Sequence, residues 1–457
     1  MDSSNTIGVG GFQYTDEQLV GDGSFDPYVR PTEHKRDKKY SEVYVRPTSN
    51  SAGEHGQPYE FKLEGDPYKW TNLQNIIIAG EMRVVNTTTN KKIVSEETDD
   101  AFEDFSLVNN YKQAIWSKIV AKINGCEITD PSADPYPYKS YLETLLNYND
   151  NYKERVLKSS GWVEDDAGKG NKRSSKKLTK GKGENATKNV ENDEYNRAFA
   201  ARRRGIGKGG WVEINTLMHS DIITSQIPLP PGYILEFKMT RMSDDFVIIN
   251  GKDNSNKYAI ELRNIHLKIG RVQQSDAQLQ AYNAKKNSQL AQIPLTRNFI
   301  KTYPALEGQT DLSIHNLIVR DQLPETVMVF AVTQKAFNGS TTTNPFFFET
   351  LNVAACSLLI NSVHEPAIPY NNIAKNNLRE SVFHAFLENV GASARDSVCC
   401  SIDQDKYYGG YNIFGKSSLK INIINIIILV FQLLIGQTAT EPKDSKWMKE
   451  FWVSTYN

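Results

Sequence analysis

The chain carries one structural pattern twice, about 237 residues apart. Near residue 119 it reads Ile119-Val120-Ala121-Lys122-Ile123-Asn124-Gly125, an extended stretch running into a turn. A loop rich in Pro and Tyr follows, then the helical spacing Tyr138, Tyr141, Leu142, Leu145. Near residue 356 it reads Cys356-Ser357-Leu358-Leu359-Ile360-Asn361-Ser362, again followed by a proline loop (Pro366, Pro369, Tyr370) and the spacing Leu378, Val382, Phe386. A chain of 457 residues has room for two sizeable cores. The repeat therefore predicts two β-rich domains in tandem. Such duplicated modules are structural parts more often than enzymes.

Charge narrows the partners. The formal net charge is -1, so any contact with nucleic acid must come from a local patch. Tyr and Phe, at 22 and 19 copies, suit strands. The four cysteines, Cys126, Cys356, Cys399 and Cys400, form no CxxC pair and stand near no histidine cluster of zinc spacing. They read as reduced thiols. Met1-Asp2-Ser3-Ser4-Asn5 has no basic or apolar leader texture, so no signal peptide is expected and the sequons at Asn86, Asn185 and Asn338 carry no weight. Ile421 to Ile435 is almost wholly apolar. It is shorter than the roughly 20 residues of a membrane span and is broken by Asn422, Asn425 and Gln432. It reads as a buried strand pair or an ill-fitting tail, and no membrane partner is expected.

Texture divides the chain. Residues 1–55 are polar and aperiodic, a flexible arm. Within it Tyr28-Val29-Arg30-Pro31-Thr32 recurs as Tyr44-Val45-Arg46-Pro47-Thr48. A repeated extended peptide with an aromatic and an arginine suits docking on a neighbouring subunit. Residues 56–272 form the first domain. Its predicted strands include Tyr59–Leu63, Asn75–Val85, Ala114–Ile123, a pair at Ile234–Met239 and Phe246–Gly251, and Tyr258–Val272, with a helix from Tyr138. Residues 164–208 interrupt it with Lys169, Lys172, Arg173, Lys176, Lys177, Lys180, Lys182 and then Arg202-Arg203-Arg204. Few large apolar residues accompany them, which predicts a mobile surface insertion. Residues 273–292 read as a short polar helical linker. Residues 293–435 form the second domain, with strands at Thr326–Val332, Phe346–Val353 and Ala355–Ile360. Residues 436–457 are an atypical tail. Many short strands between turn signals predict an all-β fold: two tandem jelly-roll β-sandwiches with short helices in loops.

The search for chemistry is mostly negative. Gly205-Ile206-Gly207-Lys208-Gly209-Gly210 matches GxGxxG but follows an arginine run instead of a strand, so it reads as a glycine hinge. His219 with Asp221 could support acid–base work, but a packed position explains it as well. The doublets Asp165-Asp166 and Asp244-Asp245 read as solvated turns. No catalytic residue, cofactor or metal is assigned, and the chain is not expected to be an enzyme. The insertion is the strongest electrostatic signal. Lys172, Arg173, Lys176, Lys177, Arg202, Arg203 and Arg204 could contact the phosphates of double-stranded DNA, act as a nuclear import signal, or simply be a solvated loop. No interleaved aromatics offer base stacking.

Several stretches carry a resemblance. The most specific is Asp134-Pro135-Tyr136-Pro137-Tyr138-Lys139-Ser140-Tyr141-Leu142-Glu143-Thr144-Leu145-Leu146-Asn147-Tyr148. Others are Tyr59-Glu60-Phe61 with Asn75 to Val85, Ala336-Phe337-Asn338-Gly339-Ser340, Asn344-Pro345-Phe346-Phe347-Phe348, Leu351-Asn352-Val353, and Gly410-Tyr411-Asn412-Ile413-Phe414. Over residues 58 to 420 the chain resembles the double jelly-roll (hexon-like) major capsid proteins of Maverick/Polinton DNA elements and adintoviruses. The resemblance implies homotrimers with six similar units around a pseudo-sixfold axis, tiling an icosahedral shell around double-stranded DNA. It also implies a virion location, assembly in the host nucleus or cytoplasm, and penton or minor capsid partners. The alternative is a vertex or fibre-like jelly roll that binds a receptor or carbohydrate. Two features depart from the pattern. The insertion is longer and more basic than expected. From Ile423 the chain lacks the polar–apolar alternation of a final strand pair, so the second jelly roll is expected to be incomplete.

Overall fold

The structure is a computed structural model. It describes residues 7–9, 12–14, 39–48, 58–89, 93, 103–129, 135–158, 160–181, 188–206, 209–225, 227–274, 276–286, 293, 295, 297–305, 311–315, 326–349, 356–360, 363–365, 379–390, 400, 402–417, 425–433 and 450–455.

Period-two alternation builds the first unit. Tyr59–Leu63 (β2) buries Tyr59, Phe61 and Leu63 and exposes Glu60 and Lys62. Lys69–Asn86 (β3) spans 18 residues. Trp116–Ile123 (β4) turns at Asn124 and Gly125 into Cys126–Glu127 (β5). Both turn residues have positive φ, 49° and 79°, as a tight hairpin requires, so the Ile-Asn-Gly reading holds. Lys39–Val45 (β1), Val212–Leu217 (β6), Leu235–Arg241 (β7) and Tyr258–Gln273 (β8) complete the set.

These eight strands pair as β6-β3-β8-β1 in one sheet and β2-β7-β4-β5 in the other, all antiparallel. First strand beside eighth, second beside seventh, third beside sixth and fourth beside fifth is the order of a folded-over hairpin. That order defines a jelly roll. Phe61, Met82, Val84, Ile119, Ile214, Phe237, Met239, Ile260 and Leu267 bury their side chains in the shared core.

The second unit repeats the order for six strands. They are Arg297–Ala305 (β9), Asp311–His315 (β10), Thr326–Thr333 (β11), Cys356–Ile360 (β12), Val363–Glu365 (β13) and Phe414–Ser417 (β14). Two more, Asn425–Leu433 (β15) and Glu450–Thr455 (β16), fill the remaining places, giving sheets β9-β15-β11-β14 and β10-β16-β12-β13. In the first unit the seventh strand lies between the second and fourth, and the eighth between the first and third. Here the assignment is exchanged, and β15 and β16 run parallel to both neighbours. The chain is thus two tandem jelly-roll sandwiches, the second closed by its tail in a reversed sense. The expected apolar strand pair is one strand, β15.

Several local expectations change. Residues 39–48, expected within a flexible arm, instead supply β1 and a bridge from Pro47 to Phe61, because Val45 packs into the core of the first unit. Residues 244–247 form a helical turn, and Ile248–Asn250 pairs with Phe105–Leu107 instead of with β7. Tyr111–Ala114 is helical, so β4 starts at Trp116. Phe346–Glu349 is not a strand; Phe348 makes a single bridge to Tyr411. Two helices follow the predicted spacing, Tyr136–Asn147 (α1) and Arg379–Asn389 (α4), and the polar stretch read as a helical linker contains a third, Asp276–Lys286 (α3). Pro366, Pro369, Tyr370 and the Asn361-Ser362 turn lie outside the described residues. Among the described residues no helix is long and apolar enough to cross a membrane.

Candidate functional site

The most elaborate constellation is the seam between the two units. Pro137 opens α1, where its missing N–H costs nothing, and the helix lies buried on nearly every side. Tyr141 stacks on Phe346 with ring centroids 4.2 Å apart and planes within 3°, and Trp162 and Phe348 close around it. Tyr138 meets Phe246 of the first unit and Phe330, Phe337 and Phe346 of the second. Burial pushes the phenols of Tyr138 and Tyr141 far up, so both stay neutral.

The basic insertion forms the second half of the seam. Leu178–Lys180 pairs with Asn189–Glu191, and Arg197–Ile206 is a helix (α2). Asp165 accepts from Arg202 Nη2 at 2.9 Å and from Asn196 Nδ2 at 3.0 Å. Its other oxygen accepts from Asn344 Nδ2 of the second unit at 3.4 Å. Tyr411 donates to the Asp165 carbonyl at 3.2 Å, and Gly168 N–H to the Gly409 carbonyl at 2.8 Å. A Cβ on Gly409 would lie 2.5 Å from the Gly168 nitrogen, so this approach requires glycine. Glu164 bridges Lys153 at 3.3 Å and Lys406, on the helix Gln404–Tyr408 (α5), at 3.0 Å. Burial works to raise the Glu164 carboxyl, but the two lysines outweigh it and hold it below the usual range.

A third cluster sits under α1. Lys139 pairs with Asp221, and Glu143 accepts from His219 Nδ1 at 2.7 Å and from Asn298 Nδ2, on β9, at 2.6 Å. Burial alone would raise Glu143, yet the His219 hydrogen bond and Lys139 charge lower it. His219 and Asp221 each bind a residue of α1. Lys139, Asp221, His219 and Glu143 are paired with one another at low exposure, which suits a clamp that holds α1.

The predicted phosphate-contact residues are not brought together. Arg202 and Arg203 are 2% and 3% exposed. Arg202 also donates to the Leu107 and Val163 carbonyls, and the Arg203 guanidinium lies 4.4 Å over the Phe105 ring. Arg204 is exposed on the opposite side of α2. Lys172 lies 3.6 Å from Glu194, and Arg173 donates to the Asn250 carbonyl at 3.3 Å. Lys177 is exposed; Lys176 lines an open cleft of about 760 Å³ whose charges, Glu103, Asp104, Glu194, Lys252 and Asp253, are mainly acidic. Two expectations are corrected here. The described part of the insertion is ordered, because Ala198, Phe199 and Ile206 on α2 anchor it in the core. Asp165 is not a solvated turn residue, because Arg202 and Asn344 enclose it. Asp166 behaves as expected, paired at the surface with Arg197. Lys182, Gly207 and Lys208 lie outside the described residues, and Gly205 lies in the last turn of α2. Among the described residues no His, Cys, Asp or Glu group is arranged to hold a metal.

No family model matches the chain. The uncharacterized protein F54H12.2 of Caenorhabditis elegans is 21% identical over 365 residues, 78% of this chain and 79% of that protein. Among solved structures the chain is similar to the Faustovirus major capsid protein, with a TM-score of 0.33 and 7% identity over 55% of this chain and 56% of that one. It is also similar to the Sputnik virophage structure determined by cryo-EM (TM-score 0.33, 10% identity, 52% and 48%) and to the mavirus major capsid protein (TM-score 0.28, 11% identity, 51% and 46%). The chain spans about half the length of these solved chains or slightly less. The jelly-roll assignment rests on the strand order described above.

Proposed function

We propose that this protein is a major capsid protein, a structural subunit whose two jelly rolls act as one rigid block. The seam carries this reading. Stacked aromatics, ion pairs and hydrogen bonds from both units converge on α1 and on residues 163–172, where Glu164 and Asp165 are enclosed by protein. The resemblance to Maverick/Polinton and adintovirus capsid proteins in the α1 region and around Asn344–Phe348 covers these same seam residues.

On this reading three copies form a pseudo-hexameric capsomer, and capsomers tile an icosahedral shell around double-stranded DNA. Penton or minor capsid proteins would close the shell, in a virion assembled in the host nucleus or cytoplasm. The subunit works by shape and burial, without a reaction. DNA contact, if made by the insertion, falls to exposed cations such as Lys177, Lys180 and Arg204, because Arg202 and Arg203 are engaged in the core. Electron microscopy of the purified full chain tests the proposal. Trimers of hexagonal outline, or closed shells, are expected; a persistent monomer at micromolar concentration would refute it.

A further inference from the structure

The cluster under α1 holds an amine against a carboxyl group in the interior. Lys139 on α1 and Asp221, which opens the helical turn Asp221–Thr224, lie 82 positions apart in the chain. Their side chains are 8% and 2% exposed, and Lys139 Nζ touches Asp221 Oδ1. Two further contacts fix Asp221. Asn298 on β9 donates its backbone N–H to Asp221 Oδ1 at 3.4 Å, and Thr224 Oγ1 donates to the Asp221 carbonyl at 2.7 Å. Asn298 is itself held by Glu143, which accepts from its Nδ2 at 2.6 Å. Next to the pair, Ser220 Oγ and Asn298 Oδ1 are buried with no hydrogen-bond partner among the described residues. A buried ion pair that served only as a static tie would be expected to have its surrounding polar atoms satisfied.

We propose that Lys139 and Asp221 condense into an amide, a covalent cross-link between α1 and the 221–224 turn. The ammonium first gives a proton to the carboxylate it touches. The free amine then attacks Asp221 Cγ, so a C–N bond forms and one C–O bond breaks. The departing oxygen carries off the transferred proton and a second one from the nitrogen, and leaves as water. Ammonium plus carboxylate thus becomes amide plus water, with no oxidant and no activating group. Three features favour the step. Condensation removes two charges from an interior that penalises both. The fold holds the reacting groups in contact, which supplies the orientation that two free molecules lack. The Asn298 N–H is aimed at the oxygen on which charge develops during attack. The step happens once per chain, on the chain itself, and involves no substrate. The amide closes the loop between residues 139 and 221 and constrains the unfolded chain as a disulfide does.

Intact-mass spectrometry of the folded full chain, denatured just before measurement, tests this. The native chain should be lighter than its sequence mass by one water. A tryptic digest should contain a branched peptide that joins Lys139 to Asp221. Chain that has never folded, recovered in denaturant, should keep its full mass, because the contact exists only in the fold. Lys139→Arg retains the charge but offers no amine, and should also keep its full mass. The native-chain measurement stands whether or not that variant folds. A native chain of full mass after prolonged folding at neutral pH, or a water loss that maps to another site, overturns the proposal. The bond forms whether or not the chain builds a capsid, so neither result alters the electron-microscopy test of that reading.

Discussion

Tyr141, on the first-unit helix α1, and Phe346, in the second unit, lie 4.2 Å apart and almost parallel, so each unit supplies one wall of the other's core. Tyr141→Ala should lower unfolding free energy by about 3–5 kcal/mol. A double-mutant cycle with Phe346→Leu should show coupling of about 1 kcal/mol. Denaturant titration reads both, and strict additivity would mean that the stack contributes nothing specific.

Arg202 and Lys177 are both cations of one insertion, but they should behave oppositely. Arg202→Ala strands Asp165 in the interior and should cost about 3–5 kcal/mol. Lys177→Ala should stay within about 0.5 kcal/mol of the parent. Thermal melts of the two variants would decide; equal effects would place Arg202 at the surface.

Affinity for double-stranded DNA, if the insertion provides it, should depend on its exposed lysines. The double change Lys177→Gln and Lys180→Gln should flatten the salt dependence of binding by up to about 0.9 per lysine in contact with phosphate. An unchanged slope in a salt titration would remove these side chains from any DNA interface.

Glu349 gives stability a pH dependence. Burial raises its carboxyl from 4.5 to about 7. The folded state therefore binds this proton more tightly than the unfolded state does. Its contribution is fully present below about pH 4.5 and is lost as pH rises through about 7, by an amount on the order of 1–3 kcal/mol. Glu349→Gln should be the more stable form at pH 8 and should lose this slope. Glu143 and Glu164, held below the usual range, act in the opposite sense, losing stability as pH falls. Melts from pH 5 to 8 on parent and Glu349→Gln would test the assignment; identical slopes would contradict it.

The tail strand β15 lies between β9 and β11, with Ile428 opposite Ile300 and Met328. Ile428→Pro removes a backbone donor in a central strand and should cost about 3 kcal/mol or more, confined to the second unit. Hydrogen exchange should show β9 and β11 losing protection while β3 and β8 keep theirs. Unchanged protection in β9 would mean that β15 does not close that sheet.

Period-two alternation placed β2 and β8 from the residues alone, because a half-buried strand must alternate wherever it pairs, whereas β11, buried at every position from Val327 to Val332, was legible as an apolar run. The 3.6-residue spacing of Tyr138, Tyr141, Leu142 and Leu145 likewise placed α1. The internal repeat announced two units, and Asn124-Gly125 announced its turn through its tolerance of positive φ. Pairing was another matter. Ile248–Asn250 joined Phe105–Leu107 instead of its near neighbour, and β15 and β16 took each other's places in parallel, because hydrogen-bonded neighbours are chosen across the whole chain. The insertion shows the same limit for charge. Arg202 and Arg204 are indistinguishable as letters, and a helix two residues further round turns one into the core and the other to water. The residues thus dictate which segments extend, which coil and that the pattern is doubled. Only the tertiary structure decides which charges are buried, since that depends on the carboxylates and carbonyls that distant segments bring against them.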